Sequence, residues 1–439
     1  MPVRDLSRRR ALALLAASAG AMTAASALGA PLSKQPPHLS GYLPDPPDGG
    51  MFTLSDATIL SHDGTTMSGG IRVEGGKIVE VGPGVTGGTP LSGRWLSPGF
   101  TDAGCQLGLV EVSLEASTRD NSESTDAVTP DARVVDGYNP LSNVIPVTRV
   151  NGITTVLVHP STDHLVTGQA ALMHTAGLHV DAATVMAPAG LCINLGRAAR
   201  GDGGPKTRMG TAMRLRALLE EAPRPPSEDN KKRRKKKKGD GDGDLSITEK
   251  IWKAVRAGEM KAIIGAHRVD DILTAIELIQ AYELDAVLLG CTEGHLAARE
   301  IADAGLPVLL GPLDVQPDNF EHPHAIYENA RILHDAGVKM AFRTGSVHDG
   351  RQLPTHAALA VAHGLPFEAA IAALTSAPGE IFGVEGLGRM EAGAPATFFE
   401  VDGDPLQPRF PVRRLWINGR ATSMETRQTR LYERYRSLY

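Results

Sequence analysis

Leu96-Ser97-Pro98-Gly99-Phe100-Thr101-Asp102-Ala103-Gly104-Cys105-Gln106-Leu107-Gly108 is the stretch on which the fold turns. A half-buried run closes at Pro98-Gly99 and reopens at Phe100, as a strand that starts a barrel would. Small residues lie at its far end, where a barrel places its site. From here to about Leu387, strand-like and helix-like segments alternate, which argues for parallel β/α units. Strands are expected at 152–158, 182–187, 260–266, 284–289, 307–311 and 338–344, with amphipathic helices at 270–282, 295–304, 324–336 and 367–375. Asp270-Asp271 and Asp303-Ala304-Gly305 supply start and stop signals. Eight such units close a (β/α)8 barrel, and a doubly wound open sheet is the alternative that local pattern leaves open.

The chain of 439 residues is long enough for a large barrel and a smaller domain, and its many Gly and Pro suit a fold rich in turns. Three cysteines, Cys105, Cys192 and Cys291, have no paired spacing, so buried free thiols are expected rather than a disulfide framework. At the N-terminus, Ser7-Arg8-Arg9-Arg10-Ala11-Leu12 precedes a short apolar run and the small residues Ala25-Ser26-Ala27. This has the form of a twin-arginine export signal over 1–30, with an N-terminal membrane anchor as the alternative. A periplasmic or otherwise exported bacterial protein is therefore expected. Residues 31–50 are rich in Pro and Gly and read as a lead-in.

Alternating runs at 52–60, 70–74 and 77–81, the last two separated by Gly75-Gly76, form a small β-unit with a hairpin turn. Far along the chain, Lys231-Lys232-Arg233-Arg234-Lys235-Lys236-Lys237-Lys238 sits in a Pro-, Gly- and Asp-flanked insertion at about 223–245. It cannot bury apolar surface and is expected to be a solvated loop; its functional alternative is attraction to an anionic surface, with no specific nucleic acid implied. The neighbouring aspartates do not complete a calcium loop, since Leu245 and Ile251 stand where that motif needs Gly and Glu.

Pro98-Gly99-Phe100-Thr101-Asp102-Ala103 resembles the first barrel strand of the amidohydrolase superfamily, of the imidazolonepropionase-like kind. The same is true of Gly388-Arg389-Met390-Glu391-Ala392-Gly393-Ala394-Pro395-Ala396-Thr397-Phe398 near the other end. The resemblance implies a (β/α)8 barrel over 96–387, a flanking β-sandwich built from 51–95 and 388–425, and a tail at 426–439. It also implies hydrolysis of non-peptide C–N bonds with one or two zinc ions. In that family, His-x-His follows the first strand; here the two positions are Gly104 and Gln106. Leu195-Gly196-Arg197 stands where the family has a bridging carboxylate. Ile264-Gly265-Ala266-His267 has Gly265 for a liganding His, Leu289-Gly290-Cys291-Thr292-Glu293-Gly294-His295 has Gly290 for another, and Thr344-Gly345 has Gly345 for the Asp that accepts the proton from water.

With all six of these positions substituted, four of them by glycine, no metal and no ordinary hydrolysis are expected. The reading that follows is a metal-free homologue serving as a binding or partner subunit, beside an active paralogue or as a homo-oligomer. Gln169, His267, Glu293 and His295 keep their family positions, either as a retained ligand pocket or a rebuilt acid/base site, or as residues that cap helices and orient loops. Cys105, Cys291 and His267 are an alternative soft-metal set. His159 and His164 are read as loop residues.

Overall fold

In the computed structural model the described residues are 50–439, apart from 198, 201–202, 224–244, 315–320, 322, 437 and 439. The expected signal and most of the lead-in therefore lie outside the described residues, and so does the basic run 231–238. Two eight-stranded sheets account for the strands. The flanking sheet takes β1 (Phe52–Leu60), β2 (Thr66–Glu74), β3 (Lys77–Gly82), β4 (Thr89–Pro90) and β5 (Trp95–Pro98) from the front of the chain. The barrel sheet holds β6 (Phe100–Cys105), β7 (Ile153–Val158), β8 (Val166–His174), β9 (Thr184–Asn194), β10 (Ala262–Ala266), β11 (Ala286–Gly290), β12 (Val308–Leu310) and β13 (Met340–Phe342). From the back come β14 (Phe398–Val401), β15 (Val412–Ile417) and β16 (Arg420–Thr422), which rejoin the flanking sheet.

The opening stretch thus belongs to both sheets. Pro98 ends β5, Gly99 is the step between sheets, and β6 begins at Phe100. A side chain at Gly99 would meet the Thr154 hydroxyl at 2.2 Å, so the step is available only to glycine. The antiparallel pairing of β5 with β14 joins the two chain ends, Leu96 opposite Glu400. Gly75-Gly76, both at positive φ, turn β2 into β3 as the sequence pattern predicts.

The barrel sheet runs β6 to β13 in sequence order and is nearly closed. It departs from eight parallel units at one strand: β8 is antiparallel to both β7 and β9. Connection length explains this. Only seven residues (159–165) separate β7 from β8, whereas a parallel crossover needs roughly a dozen or more. All remaining neighbours pair parallel, with helices between most of them. The helix Val269–Tyr282 falls at its expected place, and the 295–304 segment is split into a short turn and the helix Ala298–Asp303. One buried cluster draws on every barrel strand, including Ala103, Leu157, Ile263, Leu289, Leu309 and Ala341. The barrel interior is therefore packed core, and its working end is the C-terminal mouth. No helix among the described residues is long and apolar enough to cross a membrane.

Candidate functional site

The mouth is assembled where the last barrel strand returns to the first. Gly345 donates its N–H to the Gly104 carbonyl at 2.9 Å. Beneath that contact, the buried Asp102 carboxylate accepts from the Thr344 hydroxyl (2.5 Å), the Thr344 N–H (3.1 Å) and the Gly104 N–H (3.1 Å). Burial pushes the Asp102 carboxyl up to about 6, and the Thr344 and Gly104 hydrogen bonds work against that rise. Asp102 and Thr344 are 242 residues apart in sequence, so this seam exists only because the barrel closes.

Arg343, one residue before Thr344, is buried in the same place. Its Nη1 donates to the Gly311 carbonyl and its Nη2 to His159 Nε2, each at 3.2 Å. His159 holds its Nδ1 proton against the Pro160 carbonyl at 2.7 Å, which leaves Nε2 as the acceptor for the guanidinium. Burial first, and the Arg343 charge second, push His159 down to about 3, so the ring is neutral at ordinary pH. The three thiols are protonated as well: burial drives Cys192 and Cys291 up to about 12 and holds Cys105 well above the usual thiol range.

Glycine makes room for this arginine. A Cβ at Gly104 would lie 2.8 Å from Arg343 Nε, and one at Gly345 would lie 2.8 Å from Arg343 Nη2. At Gly265 a Cβ would meet Asn194 Oδ1 at 2.6 Å; Asn194 is in turn tied through Nδ2 to the His164 carbonyl. Gly290 has φ +98°, and a Cβ there would strike the His267 ring at 2.6 Å. His267 Nδ1 pairs with the Thr292 hydroxyl at 2.8 Å. Neighbouring side chains thus fill the space beside all four glycines.

The other expected site residues are distributed less tightly. Glu293 is buried; its Oε2 accepts from Val269 N–H at 2.9 Å and so caps the helix Val269–Tyr282, while its Oε1 has no hydrogen-bond partner among the described residues. His295 lies within the field of Glu293, but burial outweighs that charge and lowers its pKa. Gln169 gives its Nε2 to the Pro130 carbonyl at 2.9 Å, so it fastens a loop and is not directed to the mouth. Gln106 pairs through Oε1 with Asn121 Nδ2 at 3.0 Å.

Two expectations need correction. Arg197 is exposed, and its backbone N–H bonds Glu321 at 3.2 Å; the arginine at the barrel centre is Arg343. His159 and His164 do lie in the loop at 159–165, but both are buried, and His159 belongs to the site rather than serving the loop alone. The sequence carried a signal for Arg343, a lone charge at the end of the apolar run Met340-Ala341-Phe342 just before Thr344-Gly345. No comparable signal marks His159.

No family model matches the sequence. It is 26% identical over 359 residues to the amidohydrolase tasK of Hapsidospora irregularis, covering 75% of this chain and 36% of that protein. The chain thus spans about a third of the length of that relative. Among solved structures, an amidohydrolase from Thermotoga maritima MSB8 superposes with a TM-score of 0.76 at 27% identity, covering 84% of this chain and 98% of that one. The chain belongs to the amidohydrolase superfamily. A prolidase solved with N-methylphosphonate-L-proline (TM-score 0.56, 15% identity, 85% of this chain and 100% of that one) shares the superfamily barrel as a fold alone.

Superfamily membership raises the question of a metal centre, and the residues present do not fit one. Among the described residues no group of three or more His, Cys, Asp or Glu side chains is placed to hold an ion, and Cys105, Cys291 and His267 do not form such a group. Where the first- and last-strand ligands would meet, the Arg343 guanidinium packs against Gly104 and Gly345. A fixed positive charge there opposes a divalent cation.

Proposed function

We propose that this chain is an exported amidohydrolase-superfamily protein that has lost metal-dependent hydrolysis and acts as a binding or partner subunit. The observation that carries the reading is Arg343, held at the mouth by Gly311 and His159 and packed on two of the substituted ligand positions. Export rests on the twin-arginine segment, and the partner is an active paralogue or a second copy of the chain. Zinc measured by plasma mass spectrometry on purified protein should fall far below one ion per chain. Amide substrates should show no chelator-sensitive turnover. Near-stoichiometric zinc would overturn the reading.

One observation favours a second reading, a C–N hydrolase rebuilt around His267, Glu293 and His295. Glu293 Oε1 is buried without a hydrogen-bond partner among the described residues, and His295 lies within the field of that carboxylate, as the partner in an acid/base pair would. Chelator-resistant amide turnover that Glu293→Gln abolishes would replace the first reading with this one.

A further inference from the structure

The cation at the mouth has donors to spare. A guanidinium carries five N–H groups, and Arg343 gives one to Gly311 and one to His159, while its Nε has no hydrogen-bond partner among the described residues. Nε and Nη2 form one edge of the fork, and that edge is bordered by Gly104 and Gly345, the two residues whose side chains would otherwise cover it. The charge is poorly compensated. No described carboxylate comes within ion-pair distance of Arg343. Asp102, the acid whose field it feels most, spends both oxygens on Thr344 and Gly104. His159 and the three thiols are neutral. A buried cation in that condition is costly unless something anionic meets it. Arg343 keeps 5% exposure, and Gln106, His267, Gly345 and Ser346 about the mouth are only half-buried.

We propose that Arg343 stands in for the lost metal as the fixed cation of this barrel, and that it takes a small carboxylate-bearing ligand side-on through Nε and Nη2. The planar fork matches a carboxylate two bonds at a time, which a neutral amide cannot reproduce. This assignment rests on the metal-free reading above and names the ligand class of the same site.

Calorimetric titration of the full chain with acetate and N-acetylglycine, against acetamide and N-acetylglycinamide, tests it. The acids should bind saturably and each amide about tenfold more weakly or worse, the loss expected for a charge-assisted pair. Gly104→Ala keeps Arg343 but sets a methyl group against Nε, and should weaken acid binding by about the same factor. Arg343→Met should abolish it. If Arg343→Met fails to fold, the Nε–H resonance of Arg343 in protein labelled with 15N-arginine supplies the readout, and it should shift on addition of acid but not of amide. Acid and amide binding alike, no saturable acid binding, or an unaffected Gly104→Ala variant would overturn the assignment. Zinc is measured on the same sample: zinc-free protein that ignores the acids sinks this assignment alone, whereas near-stoichiometric zinc sinks the reading beneath it.

Discussion

His159 holds its Nδ1 proton on Pro160 and accepts from Arg343 through Nε2, and it can take up a second proton only by giving up that acceptor role. Its folded-state pKa of about 3 lies below the ordinary histidine value, so between about pH 6.5 and pH 3 the unfolded chain binds a proton that the folded site refuses. This contribution to stability is present above 6.5 and is lost as the pH falls. Asp102, raised to about 6, has the opposite sign: the folded chain keeps its proton up to about 6 where the unfolded chain has released it, so its contribution recovers as the pH drops through that window. The two partly cancel in the parent protein. His159→Gln can still accept from Arg343 and donate to Pro160, and it does not titrate. Denaturant unfolding at several pH values should show the stability difference moving in favour of His159→Gln by about 1.4 kcal/mol per pH unit below 6.5. A pH-independent difference would mean that His159 is not buried neutral.

Helix Val269–Tyr282 begins without a capping side chain of its own, since Arg268 at the N-cap offers none. The missing acceptor comes from Glu293, on the far side of β11. Glu293→Ala should cost about 1 kcal/mol of stability, the usual value of a lost cap, and speed amide exchange at Val269 relative to the middle of the helix. Protection unchanged at Val269 would show that the cap is dispensable. The element pattern itself was largely legible: the 270–282 helix and the 260–266, 284–289 and 307–311 strands lie close to their expected places, because apolar periodicity and acidic start signals report local geometry. Strand β8 was not legible. Its residues are buried on both faces from Val166 to Met173, which removes the alternation that identifies a strand, and its reversed direction follows from connection lengths rather than from any residue in it.

Across the whole molecule, the flanking sheet depends on residues from both chain ends. Trp416 of β15 stacks on Phe398 of β14 at 4.9 Å and on Phe52 of β1 at 5.8 Å, in a core that also holds Leu54 and Leu96. Trp416→Ala should cost roughly 3 to 5 kcal/mol, the usual price of removing a buried aromatic. Because β14 pairs with β5 directly before β6, the loss should lower the unfolding midpoint of barrel and flanking sheet together. Separate transitions for the two would contradict that coupling.

The sequence by itself determined that Gly104, Gly265, Gly290 and Gly345 bring no side chain to the ends of their strands, because these residues can be read directly off the chain. The β/α alternation was legible in it too, while the union of the chain ends in one sheet was implied only by the family resemblance. Only the tertiary structure decided what fills the space. Arg343 and Gly104, like Thr344 and Asp102, become neighbours when β13 closes on β6, and the exposed Arg197 could not be told from the buried Arg343 until that closure fixed which of them faces the mouth. Local propensity acts over a few residues, whereas the position of a buried charge is set by contacts hundreds of residues apart, whose combined desolvation and hydrogen bonding no short stretch encodes.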